Sequence, residues 1–204
     1  MVYMENNNNQ IGNDGIPEKS KMKKGLESFW DLIKFAIIAL LIVIPVRMFI
    51  AQPFVIEGES MFPTFNSGEY LIIDELSYII GNPIRGTVIV FRYPNDTKRF
   101  FIKRIIGMPN EEIIINNGKV TIINKENPKG FLLNEPYIDE QFNTTTSYIT
   151  GDNEYFVMGD NRNRSSDSRT WGILPGKLII GRAYLRLLPF KEISYLPGYF
   201  KEIK

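Results

Sequence analysis

"EEIIINNGKVTIIN", Glu111–Asn124, decides the fold. Two runs of β-branched residues flank an Asn-Gly step, and Asn117 and Gly118 tolerate the positive φ that a tight hairpin turn demands. Five more stretches carry the same strand signature, with Gly, Pro or Asn between them: "EYLIIDEL", "TVIVFRY", "RFFIKRIIG", "EYFVMGD" and "LIIGRAYLRLLP". No long amphipathic helix interrupts them. Residues 51–204 therefore read as one mostly antiparallel β domain, sheet- or barrel-like, with no internal repeat.

The chain upstream has a different character. Residues 1–25 include "ENNNNQ" and Lys19, Lys21, Lys23 and Lys24, and they read as a flexible polar tail. Residues 26–50 hold the most apolar segment, "LIKFAIIALLIVIPVRMFI", Leu32–Ile50. Its uninterrupted part, Phe35–Val46, is short for a bilayer, but Lys34 and Arg47 can snorkel at its ends. The 19 residues of the full segment would span about 28 Å as a helix. A cleaved signal peptide or a buried core helix would also use an apolar run. The first lacks a clean small-x-small site after the core, and the second would strand Lys34 and Arg47. Length and flanks favour a single retained transmembrane anchor. After Arg47 the next basic residue is Arg85, so the positive-inside rule sets the N-terminus in the cytoplasm and the β domain outside.

Composition narrows the chemistry. A formal net charge of +1 over 204 residues gives no reason to expect a nucleic-acid partner. Cysteine is absent, which removes thiol nucleophiles, disulfides and Cys-based metal sites. Histidine is absent too, which removes every Ser-His-Asp arrangement and the H-E-x-x-H metal sites. A hydrolase built from this chain needs a lysine or a carboxylate as its base.

Three stretches could hold such chemistry. In "VIEGESMFPTF", Ser60 stands between Gly58 and Pro63, residues that permit or enforce backbone bends. By itself this is also the pattern of an ordinary turn serine. In "RFFIKRIIGMP", strand alternation puts Phe101, Lys103 and Ile105 on one face and Phe100, Ile102, Arg104 and Ile106 on the other. If the Lys103 face is buried, desolvation lowers its pKa and makes it a base; if it is an open edge, Lys103 snorkels into water. In "MGDNRNRSSDSRTWG", Asp160, Asp167, Arg162 and Arg169 could form ion pairs. Ser165, Ser166 or Ser168 could hydrogen-bond a neutral amine, or the whole segment could be a solvated loop.

Together and in order, these stretches resemble the bacterial type I signal peptidases, membrane-anchored serine proteases that remove signal peptides from exported proteins. "GESMFPT" resembles the family's serine box, "RGTVIVF" its intervening strand box, "FFIKRIIGMP" its lysine box, and "GDNRNRSSDSR" its closing box. The resemblance implies Ser60 as nucleophile and Lys103 as general base. Ser165 would hold the lysine amine, with Asp160, Asp167 and Arg169 bracing that loop and Asp167 paired to Arg169. It implies translocated preproteins as substrates, a preference for small residues before the cut, the lipid bilayer as partner, and no metal or cofactor. Two departures stand out: Gly58 occupies a position where some members carry a hydroxyl, and Asn110 stands where a glycine commonly follows the proline. Two other readings are a non-catalytic, membrane-anchored β module that binds an extracellular partner, and a self-cleaving Ser-Lys regulator. The second would carry a DNA-binding helical domain where this chain has a polar tail. The C-terminal "LLPFKEISYLPGYFKEIK" could either close the β core or rest on lipid.

Overall fold

A computed structural model describes residues 18–45, 52–140 and 142–200. The chain divides into two units, Met1–Ile44 and Pro45–Lys204. The first holds helix α1, Glu18–Pro45, up to its last residue. It begins inside the stretch read as tail, because Lys, Met, Leu and Glu are good helix formers and extend the helix N-terminally. Most of its described apolar side chains are exposed, Phe35 at 75% and Leu41 at 68%. Among the described residues no helix is long and apolar enough to cross a membrane. The tail over 1–17 and the far end of the expected anchor, 46–50, lie outside the described residues.

The regular structure of the second unit is mostly strands. These are β1 Gln52–Val55, β2 Tyr70–Asp74, β3 Val88–Tyr93, β4 Asp96–Gly107, β5 Glu112–Asn116, β6 Lys119–Ile123, β7 Phe131–Leu132, β8 Thr146–Ile149, β9 Glu154–Met158, β10 Leu174–Pro175, β11 Ile179–Leu188 and β12 Ser194–Tyr195. Two short helices interrupt them, α2 Leu76–Ile80 and α3 Ser168–Trp171. Every described pairing is antiparallel.

The strands form two sheets rather than one closed barrel. One runs β1-β2-β11-β3-β4-β9-β10, with β12 added to β11; the other runs β7-β6-β5-β8. The smaller sheet is built around the β5–β6 hairpin. Asn117 and Gly118 take φ values of +48° and +75°, so β5 folds straight back on β6 in the register Asn116 to Lys119. The smaller sheet buries Ile113, Ile115, Val120 and Ile122 in a core shared with Ile106 of β4 and Phe156 and Met158 of β9, strands of the larger sheet.

In the larger sheet, β3 is covered on both faces. Val88 and Val90 pack with Ile56, Met61, Phe65, Leu71 and Ile73, whereas Ile89 and Phe91 pack with Ile105, Tyr155, Val157 and Leu174. That explains the unbroken apolar run "VIVF". β4 alternates as read: Phe101 and Ile105 join the Ile89 cluster, and Ile102 packs on the Val90 side. The C-terminal segment packs on the β domain at some residues and leaves others exposed. Leu196 N–H donates to Tyr184 O and the Phe200 ring packs edge-on against Tyr137. Phe190, Ile193 and Tyr195 remain exposed.

Candidate active site

The loop after β1 is held at both ends of a tight bend. Gly58 adopts φ +92°, where a side chain would be strained, and its N–H donates to Ser67 Oγ at 3.2 Å. Just beyond, Phe62 N–H donates to Glu59 O and Phe65 N–H to Met61 O, while Met61 and Phe65 are buried in the sheet's core. Ser60 sits between these anchors. Its carbonyl accepts from Asn161 N–H at 3.1 Å, which ties the loop to the segment after β9.

Lys103 reaches Ser60 from β4, where it is paired with Ile89 of β3. Its amine lies 2.7 Å from Ser60 Oγ and donates to Ile102 O at 2.7 Å, with the Phe101 ring centroid 5.4 Å away. Lys103 is only 4% exposed. Burial penalises the ammonium and brings its pKa down from 10.5 to about 8, against the upward pull of the Asp167 and Asp160 charges. Of the two environments open to Lys103 in the sequence, the buried one is realised.

The segment Gly159–Arg169 wraps this pair. Arg169 forms an ion pair with Asp167 at 2.8 Å, and Asp167 also accepts from Gly159 N–H at 3.0 Å. Burial pushes the Asp167 carboxyl up, but the Arg169 hydrogen bond and charge outweigh it and hold the group below its usual pKa. Arg169 further donates to Arg162 O at 2.7 Å, and Ser168 Oγ accepts from Val157 N–H at 3.0 Å. Ser165 Oγ is buried without a hydrogen-bond partner. It is close enough to Asp167 to help lower that carboxyl's pKa, but the expected hydrogen bond to the Lys103 amine is not formed.

Asp160 belongs to a different network. Arg104, fully buried and next to Lys103 on β4, grips it with Nε to Oδ1 at 2.8 Å and Nη2 to Oδ2 at 2.6 Å. Thr64 Oγ1 donates to the same carboxylate, and Arg104 Nη1 donates to Gly86 O and to Gly198 O. Arg162 pairs with Glu135, outside its own loop. Sequence reasoning missed Arg104, Thr64 and Glu135. The signal for Arg104 was a guanidinium between isoleucines on a strand, which cannot be buried without a partner.

Gly159 fits the site because it has no side chain. A Cβ there would overlap Ser165 Oγ, Ser165 Cβ and Ser60 O. Gly159→Ala is expected to shift the Ser60 backbone and, if Ser60 is the reacting group, to cut kcat/KM about 100-fold, since a displacement near 1 Å can cost that much. Far-UV circular dichroism should remain that of the folded β domain. Loss of the fold would mean instead that Gly159 serves stability.

A cavity of about 600 Å³ opens over the pair, lined by Ser60 and Lys103 and by Phe54, Ile56, Leu71 and Ile102, among others. Among the described residues no group of three or more acidic side chains could hold a metal ion. A serine hydroxyl, a buried amine in contact with it and an apolar groove are the components that covalent hydrolysis requires.

Known proteins point the same way. The family model for signal peptidases, peptidase S26, matches residues 29–188. A probable signal peptidase I-2 of Synechocystis is 36% identical over 194 residues, covering 89% of this chain and 84% of that one. A signal peptidase I of Bacillus licheniformis is 32% identical over 189 residues, covering 86% of this chain and 96% of its own length. A crystal structure of a signal peptidase I from Enterococcus faecalis overlaps 50% of this chain and 96% of that one at 27% identity, with a TM-score of 0.41 that is too low to bear on the fold. With a family model over most of its length and relatives above 30% identity, the chain belongs to the signal peptidase family, peptidase S26, as a serine peptidase of the bacterial type I signal peptidases.

Proposed function

We propose that this chain removes signal peptides from exported preproteins with Ser60 as nucleophile and Lys103 as general base, while held on the membrane by residues 26–50. The observation that carries the reading is the 2.7 Å contact between a buried lysine amine and a serine hydroxyl in a chain without histidine. With a pKa of about 8, roughly one Lys103 in ten is neutral at pH 7; at its ordinary 10.5 fewer than about one in a thousand would be.

Neutral Lys103 takes the Ser60 proton as Oγ attacks the scissile carbonyl. The oxyanion forms next to the Ser60 N–H, which is a donor suited to it; Gly58 has no hydroxyl to contribute a second. The carbon–nitrogen bond then breaks, the Lys103 ammonium protonates the departing amine, and an acyl-Ser60 ester remains. Water attacks this ester with Lys103 accepting its proton; the ester C–O bond then breaks and Lys103 returns the proton to Ser60 Oγ, which releases the signal peptide and restores the site. Asp167, Arg169 and Asp160 keep the surrounding loop in place, and Ser165 fills the space beside Ser60. β1 is an edge strand beside the cavity, so an extended substrate can add to it while small residues before the cut enter the apolar groove.

The exposed apolar side chains of α1 support the anchor, because lipid would cover what water does not favour. Lys19 to Lys24 precede the segment, which places the N-terminus in the cytoplasm and residues 51–204 outside.

The test is cleavage of a purified precursor with an Ala-x-Ala site by the full chain in liposomes, with the product's new N-terminus read by mass spectrometry. Wild type is expected to cut once, after the second alanine, and Ser60→Ala to cut at background. Undiminished cleavage by Ser60→Ala would overturn the assignment of the nucleophile.

A further inference from the structure

A second cavity, of about 490 Å³, adjoins the active site and has no part in the chemistry above. It is lined by Glu59, Phe62, Asn66, Glu140, Asn161 and Arg164, among others. Glu59 and Arg164 also line the groove over Ser60, and their exposed ion pair, 2.8 Å long, borders both spaces. Asn161 joins this wall to the nucleophile, since its N–H binds the Ser60 carbonyl. The chain order agrees: residues 57–60 line the groove and residues 62 and 65–67 the second cavity.

The two spaces differ in chemistry. The groove presents Phe54, Ile56, Leu71, Val90 and Ile102, which suit small apolar residues before the cut. The second cavity presents carboxylates, amides and a guanidinium around one half-exposed phenylalanine, Phe62. Its charges are two carboxylates and one guanidinium, and Arg164 already pairs with Glu59. Glu140 accepts from Asn163 Nδ2 at 3.0 Å and has no basic ion-pair partner among the described residues.

We propose that this cavity binds the first residues of the precursor after the scissile bond, and that Glu140 makes it favour cationic and neutral side chains over acidic ones there. The inference rests on Ser60 as the nucleophile. An extended chain advances roughly 3.3 Å per residue, so a segment leaving Ser60 along the Glu59–Arg164 pair enters the cavity within a few residues. Glu140 is a specificity residue, acting on substrate charge and not on the reacting bond.

The experiment uses three precursors identical up to the cut and carrying Ser, Lys or Glu in the second and third positions after it. The full chain in liposomes of zwitterionic lipid should cleave the Lys form about fivefold more efficiently than the Glu form at low salt, the size an exposed charge pair supports. The difference should lie mainly in KM and should shrink at about 1 M salt, where the Debye length is near 3 Å. In Glu140→Lys the ratio should invert, and in Glu140→Gln it should approach one. Equal cleavage of the Lys and Glu precursors by wild type, or an unchanged ratio in both variants, would overturn the subsite. Neither result touches the nucleophile, which is tested separately by Ser60→Ala on the Ser precursor.

Discussion

Lys103→Met is expected to abolish cleavage and at the same time to make the folded domain more stable at neutral pH. Loss of both the base and the proton donor should lower kcat/KM by about four orders of magnitude or more, because the members of such a unit fail together. The stability change has the opposite sign because the wild-type chain buries an amine that prefers to be charged. Folding lowers the Lys103 pKa from 10.5 to about 8 through desolvation, a difference of roughly 3 kcal/mol at about 1.4 kcal/mol per pH unit. Below pH 8 both folded and unfolded chains hold the proton, so the full penalty is present. Between pH 8 and 10.5 the unfolded chain holds more protons, and stability rises with pH; above 10.5 the penalty is gone. Methionine has a similar shape and no charge. Urea unfolding should therefore show Lys103→Met ahead of wild type by up to about 3 kcal/mol at pH 7, with the gap closing towards pH 10.5. A variant less stable than wild type by the same amount at both pH values would contradict the desolvated amine.

The second large effect lies in the ion pair behind the dyad. Arg104 and Asp160 are both fully buried as side chains, bound by two hydrogen bonds. Asp160→Ala leaves a buried guanidinium without its counter-charge and is expected to cost about 3–5 kcal/mol, a fall in Tm of about 10 °C or more for a domain of this size. Arg104→Met with Asp160→Leu removes both charges and should recover most of that stability. Single variants within about 1 kcal/mol of wild type would show that the pair is not the internal brace it is taken to be. Activity supplies a separate readout. The Asp160 charge pulls the Lys103 pKa up, so Asp160→Asn should move the rise of kcat/KM with pH to lower values.

These residues also mark what the sequence could and could not show. The seven strands of five or more residues were legible because their β-branched and aromatic runs are long enough to show, and the Asn117-Gly118 turn because its φ requirement is local. β7, β10 and β12 have two residues each, too few for any period, and β1 and β10 contain proline. Ser60 was indistinguishable from a turn serine on its own, since its meaning lies in an amine 43 residues away. Alternation put Lys103 beside Phe101 and Ile105, but burial depended on β3 and the Ser60 loop, which local pattern does not contain. Arg104 and Asp160 are 56 residues apart, and nothing in either neighbourhood names the other. Asn110, which stands where a glycine commonly follows the proline, adopts φ +61°, a conformation that glycine favours. Ser165, by contrast, sits beside Ser60 without the hydrogen bond to Lys103 that the resemblance implied.

The most direct test of a neutral Lys103 acting on Ser60 is the pH dependence of kcat/KM for the wild-type full chain in liposomes, from pH 6 to 10, on one small-x-small precursor. Cleavage should rise tenfold per pH unit at the acid end, pass half-maximum near pH 8 and level off above it. A flat profile would show that the amine beside Ser60 is not the base, and one still climbing at pH 10 would show that burial does not lower its pKa.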